Sequence, residues 1–412
     1  MPLEEIQKLL HNDNDQLEAW FNQKWQGIKP LPYFSCDIRH ATYKLGIVDT
    51  NLFPAGFNNL CNAFTKETAQ AFDNYFTRHY PTAKNILLFG ENHTRNKFYL
   101  YNLVKLQFLI ESTGRHCRIT LPLEHFAEER IQIPLDEKTN ITVERVEAVS
   151  GTLKTSDFTA DLVLTNNDFS SGLPAFFAEL LIPVIPSPDL GWHKRYKSGH
   201  FKILNELFDD FGKNFGIDPW HLMPYTEIID GVDEGNLAGL AQKVDDVLKS
   251  IQKKYTEYQI SENPFVFIKN DSGTYGLGIV TVSSADEVLS LNRKKRSKLF
   301  SAKGSNQTSR FLVQEGIPTY DTYSGYPIEP VIYGVGENPV GGFFRLHEGK
   351  SAFESLNAPG MSFSCLCLHK LDEPHESYFL NCKDKQLLVT GSKFMARFAS
   401  LAAAIEAHKI NS

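Results

Sequence analysis

Hydrophobic positions change period several times along the chain, and each change marks an element. Leu3, Ile6, Leu9, Leu10, Leu17, Trp20, Phe21 and Trp25 recur at helical spacing, interrupted near Asn12–Asn14 and ended by Pro30 and Pro32. Residues 62–80 also read as helix. Asn85–Phe89 (NILLF) is a continuous apolar run of strand length. It gives way to polar residues from Gly90 to Asn96 and then to an amphipathic helix over Tyr99–Glu111. Strands are predicted at Arg118–Leu121, Ile141–Val149, Leu162–Thr165 and Ile182–Ile185, with helices over Leu173–Leu181, Phe201–Phe211 and about Asn236–Tyr255. Alternation of strand and helix predicts a mostly parallel sheet, whose ligand sites lie at strand carboxyl ends. Glu91, His93 and Arg95 stand at such an end, as do Asn166–Asp168. Arg95 reads as a fork for a carboxylate or phosphate; a lone loop histidine is more often a hydrogen-bond donor than a base.

After Glu262–Pro264, read as a domain joint, the pattern becomes β-rich. Phe265–Val282 (FVFIKNDSGTYGLGIVTV) reads as strand, glycine loop and strand. Arg310–Ile317 (RFLVQEGI), Glu329–Val335 (EPVIYGV) and Gly341–His347 (GGFFRLH) are further strands, and an Ala-rich helix over Leu387–Ala407 closes the chain.

Composition narrows the classes. The 412 residues are 42% hydrophobic and 22% charged, ordinary for a globular protein with two or three domains. A net charge of −7 excludes an overall electrostatic footprint for nucleic acid. The basic run Arg293, Lys294, Lys295, Arg296 and Lys298 reads as a solvated helix face. The six cysteines form no CxxC pair, so they read as reduced thiols and point to a cytoplasmic protein. The first residues do not form a signal peptide, and no apolar run approaches the roughly 18 residues needed to span a bilayer.

The glycine hairpin carries the sharpest chemistry. Gly273, Gly276 and Gly278 let the backbone approach a bulky group, amide N–H groups can cradle an anion, and Lys269 adds a point charge. No Gly-Lys-Ser/Thr follows, so this is not a P-loop, and a strand rather than a helix follows, so it is not a dinucleotide fingerprint. A plain β-hairpin is the bland alternative. Arg345 interrupts an apolar run, so it either faces a site or forms a buried ion pair. The stretch from Tyr33, with Asp37, Arg39, Lys44, Asp49, Asn51, Asn58 and Asn59, reads as an irregular, partly buried wall. It is either a loop with Asx turns or a cradle for a zwitterionic amino acid. Gly191–His200, with Trp192, His193, Lys194, Arg195 and Lys197, is either a solvated helix cap or an anion site.

The lysine-ended strand, the glycine loop and the returning strand resemble the phosphate-covering hairpin of ATP-grasp enzymes. The order of parts resembles the glutathione synthetase branch. Tyr33–Leu60, Phe89–Asn102 and Gly191–Phe201 resemble the proteobacterial glutamate–cysteine ligase family, over most of the chain. The resemblance implies an α/β, ATP-grasp, glutathione-synthetase-like fold with an N-terminal mostly parallel α/β domain. Its divisions fall at 1–84 (helical and wall segment), 85–200 (α/β domain), 201–262 (helical connector) and 263–412 (ATP-grasp domain). It implies ATP and Mg²⁺, with glutamate and cysteine as small-molecule substrates and neither nucleic acid nor membrane as partner.

Residue by residue, the resemblance assigns Lys269 with Ser272, Gly273, Gly276 and Gly278 to the triphosphate. Lys202, or less favourably Lys197, goes to the α-phosphate, and Gln314, Glu315, Gly316 and Ile317 go to the adenine hinge. Arg345 would stabilise an acyl phosphate, and Asn357–Gly360 would lie beneath the transferring phosphoryl. The metal ligands would be Glu329, Glu354 and Asn357. Here the chain departs from the family's Glu-x-Asn, because Glu354-Ser-Leu-Asn357 is one residue longer. Asp37, Arg39, Asn51, Glu91, Arg95, Trp192, His193 and Arg195 would meet the two amino acids, in a division the sequence leaves open. Two alternatives stand beside this reading: glutathione synthetase or another ATP-grasp peptide ligase, and a non-catalytic nucleotide-binding protein.

Overall fold

The computed structural model describes residues 2–11, 15–123, 128–272, 278–301, 309–366, 380–381, 385 and 387–411. Gly273 and Gly276 of the glycine loop lie outside the described residues, as do Cys367 and Cys382. The molecule is a mixed α/β protein built on three main sheets.

The largest sheet joins distant parts of the chain. Phe34–Ala41 and Lys44–Asn51 form an antiparallel hairpin. Phe34–Ala41 pairs on its other side with Tyr326–Val335, followed by Asn338–Leu346 and Ser362–Cys365. The expectation of an irregular wall from Tyr33 is therefore corrected: irregular chain begins only after Asn51. Charged residues are tolerated in these strands because each meets an opposite charge: Asp37 meets Arg345, Arg39 meets Glu329 and Lys44 meets Glu315. Strand alternation explains the rest. Cys36, Ile38, Leu45 and Ile47 enter a core beneath the sheet, while Asp37 and Arg39 face a cleft above it. The divisions at 84/85 and 262/263 cut across this sheet, since its central strands come from both ends of the chain.

A four-stranded parallel sheet runs Val184–Ile185, Leu162–Asn166, Asn85–Gly90 and His116–Thr120, as the strand–helix alternation predicted. The expected strand over Ile141–Val149 breaks at Arg145: Asn140–Glu144 pairs with Arg130–Pro134, and Glu147–Val149 pairs with Thr152–Lys154. The predicted helix over Leu173–Leu181 is a short 3₁₀ turn, Ala175–Glu179.

The third sheet is antiparallel, in the order Thr226–Ile229, Phe311–Glu315, Val266–Asn270 and Val280–Val282, covered by the helix Ala238–Glu257. The helices Lys197–Phe215 and Ser392–Asn411 pack together under the largest sheet. Leu387–Ile410 is the one described helical segment long and apolar enough to cross a membrane, and 78% of its apolar window is buried inside the protein. Its alanines (Ala396, Ala399, Ala402, Ala403) let the sheet and the neighbouring helix approach closely. Among the described residues Cys36, Cys61, Cys117 and Cys365 are free thiols. The Arg293–Phe300 helix presents its basic run to solvent, as expected.

Candidate active site

A cleft opens between the largest sheet and the antiparallel third sheet, lined by Asp37, Arg39, Val48, Asp49, Phe267, Lys269, Ile279, Glu329, Ser355 and Asn357. Its floor is an ion-pair lattice on three adjacent strands. Arg345 donates through one Nη to Asp37 and to Glu329, both at 2.5 Å, and through the other to Asp37 at 3.3 Å. Arg39 Nε donates to the second oxygen of Glu329 at 2.7 Å. Burial pushes the Glu329 carboxyl up, but Arg39 and Arg345 outweigh it and hold it below the usual range. Burial keeps Asp37 above its usual range despite Arg345, with Glu329 adding to the rise. The Arg345 Nε–H is buried and meets no acceptor among the described residues.

The facing wall is cationic. Lys269 ends its strand with Nζ donating to Gln314 Oε1 at 2.6 Å and to the Val48 carbonyl at 2.8 Å. Burial lowers its pKa to about 8, with Asp49 pulling it up and Lys197 pushing it down. Lys197, at the start of its helix, donates to Asp49 Oδ1 at 2.5 Å. Two lysines thus converge on one carboxylate, which they hold ionised against burial. The cleft combines anion-binding cations with hard oxygen donors.

The GshA glutamate-cysteine ligase family matches residues 7–407 of the chain. The chain belongs to this family. The ligase is therefore an enzyme of glutathione biosynthesis that joins glutamate to cysteine. Among solved structures it is similar to a protein from Methylobacillus flagellatus KT, provisionally named a gamma-glutamylcysteine synthetase. The two are 36% identical with a TM-score of 0.88, over 99% of this chain and 97% of that one. D-alanyl-alanine synthetase A from Vibrio cholerae matches over 79% of this chain and 82% of that one, at 12% identity and a TM-score of 0.36. A glutathione synthetase-like effector from Globodera pallida matches over 89% and 87%, at 10% identity and a TM-score of 0.40. Those two scores are too low to establish a common fold. No curated protein matches the chain.

The remaining candidates divide by place. Of the two lysines considered beside Lys269, Lys197 reaches the cleft edge, while Lys202 is exposed further along the same helix. Ser272 is held by Asn270, and Gly278 takes a positive φ of 72°. Gln314–Ile317 does not line the cleft. Glu315 is fully buried against Lys44 at 2.6 Å, its amide donates to Tyr225 and that of Gly316 to Phe265. Arg39 lines the cleft but spends its other N–H groups on the carbonyls of Ile317, Ala352 and Glu354. It therefore ties the 352–357 loop to the sheet.

Asn357 lines the cleft, whereas the Glu354 carboxylate turns to Lys350 and Ser351. Asn51 accepts from the Phe53 amide. Arg195 is buried in a pair with Glu406 at 2.8 and 3.1 Å, its guanidinium 4.9 Å from the Trp192 ring, and His193 is exposed. Glu91 meets His93 at 2.6 Å, and Arg95 lies in a separate shallow cleft with Asn92–Asn96.

Sequence reasoning named Asp49 in the wall from Tyr33 but gave it no ligand, and did not single out Val48, Phe267, Ile279 or Ser355. A two-residue turn at Thr42-Tyr43 would by register alone set Asp37 opposite Val48; an irregularity between Asp37 and Ile38 moves the pairing to Asp49, and no local pattern announces it.

A proton count follows from Lys269. Its folded pKa near 8 leaves part of the population neutral at pH 8–9, and a bound polyanion restores the charge. Nucleotide binding is expected to take up a fraction of a proton at pH 8.5 and almost none at pH 6.5. Calorimetry in two buffers of different ionisation enthalpy measures this; zero uptake at pH 8.5 contradicts it.

Proposed function

We propose that the ligase activates the γ-carboxylate of glutamate with ATP, as an acyl phosphate, and passes it to the amine of cysteine in this cleft. The observation that carries the reading is the opposition of Lys269 and Lys197 to the Asp37–Arg345–Glu329–Arg39 lattice across one small cleft. A carboxylate oxygen is a poor leaving group in water, whereas phosphate is a good one. The protein's work is then to hold triphosphate, carboxylate and transferring phosphoryl together and to neutralise their charge.

Lys269 and Lys197 hold the phosphates. Arg345 stands at the reacting carboxyl, and its unpaired Nε–H is a donor in reserve for an oxygen that arrives with substrate. The incoming amine displaces phosphate and loses its proton as the amide forms. The fold supports an ATP-grasp assignment through its antiparallel lysine hairpin beside a second sheet.

Among the described residues no group of three or more His, Cys, Asp or Glu forms a ready metal cage. The donors that line the cleft, Asp37 and Glu329 carboxylates and the Asn357 amide, are hard oxygen ligands that fit Mg²⁺ brought in with a nucleotide and its waters. Mg²⁺ would supply charge neutralisation at the phosphates; Glu354 points elsewhere.

The deciding assay is phosphate release from Mg-ATP with glutamate plus cysteine, each omitted in turn. Release is expected only with both. Release with γ-glutamylcysteine and glycine instead would overturn the reading.

A further inference from the structure

Asp271 follows the Lys269 strand and opens the glycine loop, yet its bonds run to another element. It is fully buried. Its Oδ1 accepts from the Ser198 amide at 2.7 Å and its Oδ2 from Ser198 Oγ at 2.6 Å. Its carbonyl accepts from the Lys197 amide at 2.8 Å. Arg310 Nε donates to Oδ2 at 2.6 Å, Arg310 Nη to Ser198 Oγ at 3.3 Å, and the guanidinium lies 4.8 Å from the Tyr196 ring. The helix Lys197–Phe215 has no side-chain cap of its own, since its N-cap position is Tyr196. Its first amides need acceptors. Asp271 supplies two of them from a residue 73 positions away.

We propose that Asp271 is a positioning residue for the phosphate clamp. It welds the base of the glycine loop to the helix start, and so fixes the separation of Lys269, two residues before it, from Lys197, next to Ser198. The inference rests on the reading of those lysines as the nucleotide's phosphate ligands. With Asp271 in place, Lys197 is held on Asp49, and Lys269 on Gln314 and the Val48 carbonyl, before any ligand arrives. Without its carboxylate, the helix start keeps only the bond from the Lys197 amide to the residue 271 carbonyl, and the ties to Ser198 and Arg310 that steady Lys197 against Lys269 are lost. The cost should fall on the nucleotide, because Arg345, proposed to stand at the reacting carboxyl, hangs from another strand.

The test compares Asp271→Ala, Asp271→Asn and Ser198→Ala in the full chain, reading KM for ATP, glutamate and cysteine, kcat and Tm. Asp271→Ala is expected to raise the ATP KM roughly 10- to 100-fold, the range for lost hydrogen bonds to a charged group. The amino-acid KM values should stay within about twofold. Asp271→Asn, which keeps an acceptor for the Ser198 amide, should recover part of the loss. Ser198→Ala, the milder change, should shift the same constant in the same direction and remains readable if Asp271→Ala fails to fold. Phe398→Leu, in the core under the largest sheet, serves as a control that lowers Tm without moving the ATP KM. A lowered Tm with an unchanged ATP KM in the Asp271 and Ser198 variants would overturn the proposal, as would an equal rise in all three KM values. The phosphate reading itself fails separately, if Lys269→Ala leaves the ATP KM and turnover intact.

Discussion

Lys269→Ala is expected to lower kcat/KM for ATP by roughly 10²–10³, the usual loss when one preorganised charge stabiliser is removed, while leaving thermal stability equal or higher. Both halves follow from one environment. The Lys269 ammonium is buried, and burial has already taken its pKa down to about 8. A folded-state pKa below the unfolded one means that the native state binds this proton less tightly, so the side chain costs stability at every pH below its unfolded pKa. The ammonium lines the cleft, held by Gln314 and the Val48 carbonyl, and on the proposed function the charge is kept for the nucleotide's phosphates. Lys269→Met should show the split more cleanly, since it fills the same space without the charge. Paired measurements of ADP formation and thermal unfolding decide it: activity within tenfold of the parent, or a large fall in Tm, would contradict the assignment.

Arg345→Ala carries the second large effect, of opposite type. Here activity and stability should fall together. Arg345 bridges Asp37 and Glu329, and those carboxylates sit beneath the cleft with 14% and 5% of their side chains exposed. Removing one partner of a buried ion pair leaves an uncompensated charge and costs about 3–5 kcal/mol. Glu329 retains Arg39, but Asp37 is left without its guanidinium. On the proposed function, in which this guanidinium stands at the reacting carboxyl, turnover should drop beyond what the folded fraction explains. Arg345→Lys separates the two roles. It restores a charge and part of the stability but not the planar fork, so denaturant unfolding should recover while phosphate release does not. Recovery of both would mean that Arg345 holds the lattice and nothing more.

The parts of this molecule that were legible in the sequence are those in which one local pattern settles the matter. NILLF became the centre of a parallel sheet, and FVFIK followed by IVTV became an antiparallel hairpin bearing Lys269. The region from Tyr33 was misread because its polarity is paid for by partners some 280–310 residues away: Arg39 by Glu329, Asp37 by Arg345. No window of the sequence contains both members of such a pair. The same limit hid the surroundings of Glu315, which resemblance places in the adenine hinge and whose carboxylate the fold holds against Lys44 and the Tyr225 amide. It also favoured Lys202 over Lys197, since helical phase and a distant Asp49 decide which lysine turns inward.

The largest sheet has a consequence for synthesis. Phe34–Ala41 leaves the ribosome almost 300 residues before Tyr326–Val335, its partner on one side. At the roughly 5–20 residues per second of translation, the early hairpin waits many seconds with one edge unpaired and with Arg39 and Asp37 lacking their counter-charges. Exposed strand edges invite pairing with other chains. A nascent chain stalled before residue 326 should therefore depend on chaperones and aggregate when released, while the parallel sheet of residues 85–185, whose partners are closer in sequence, can already assemble.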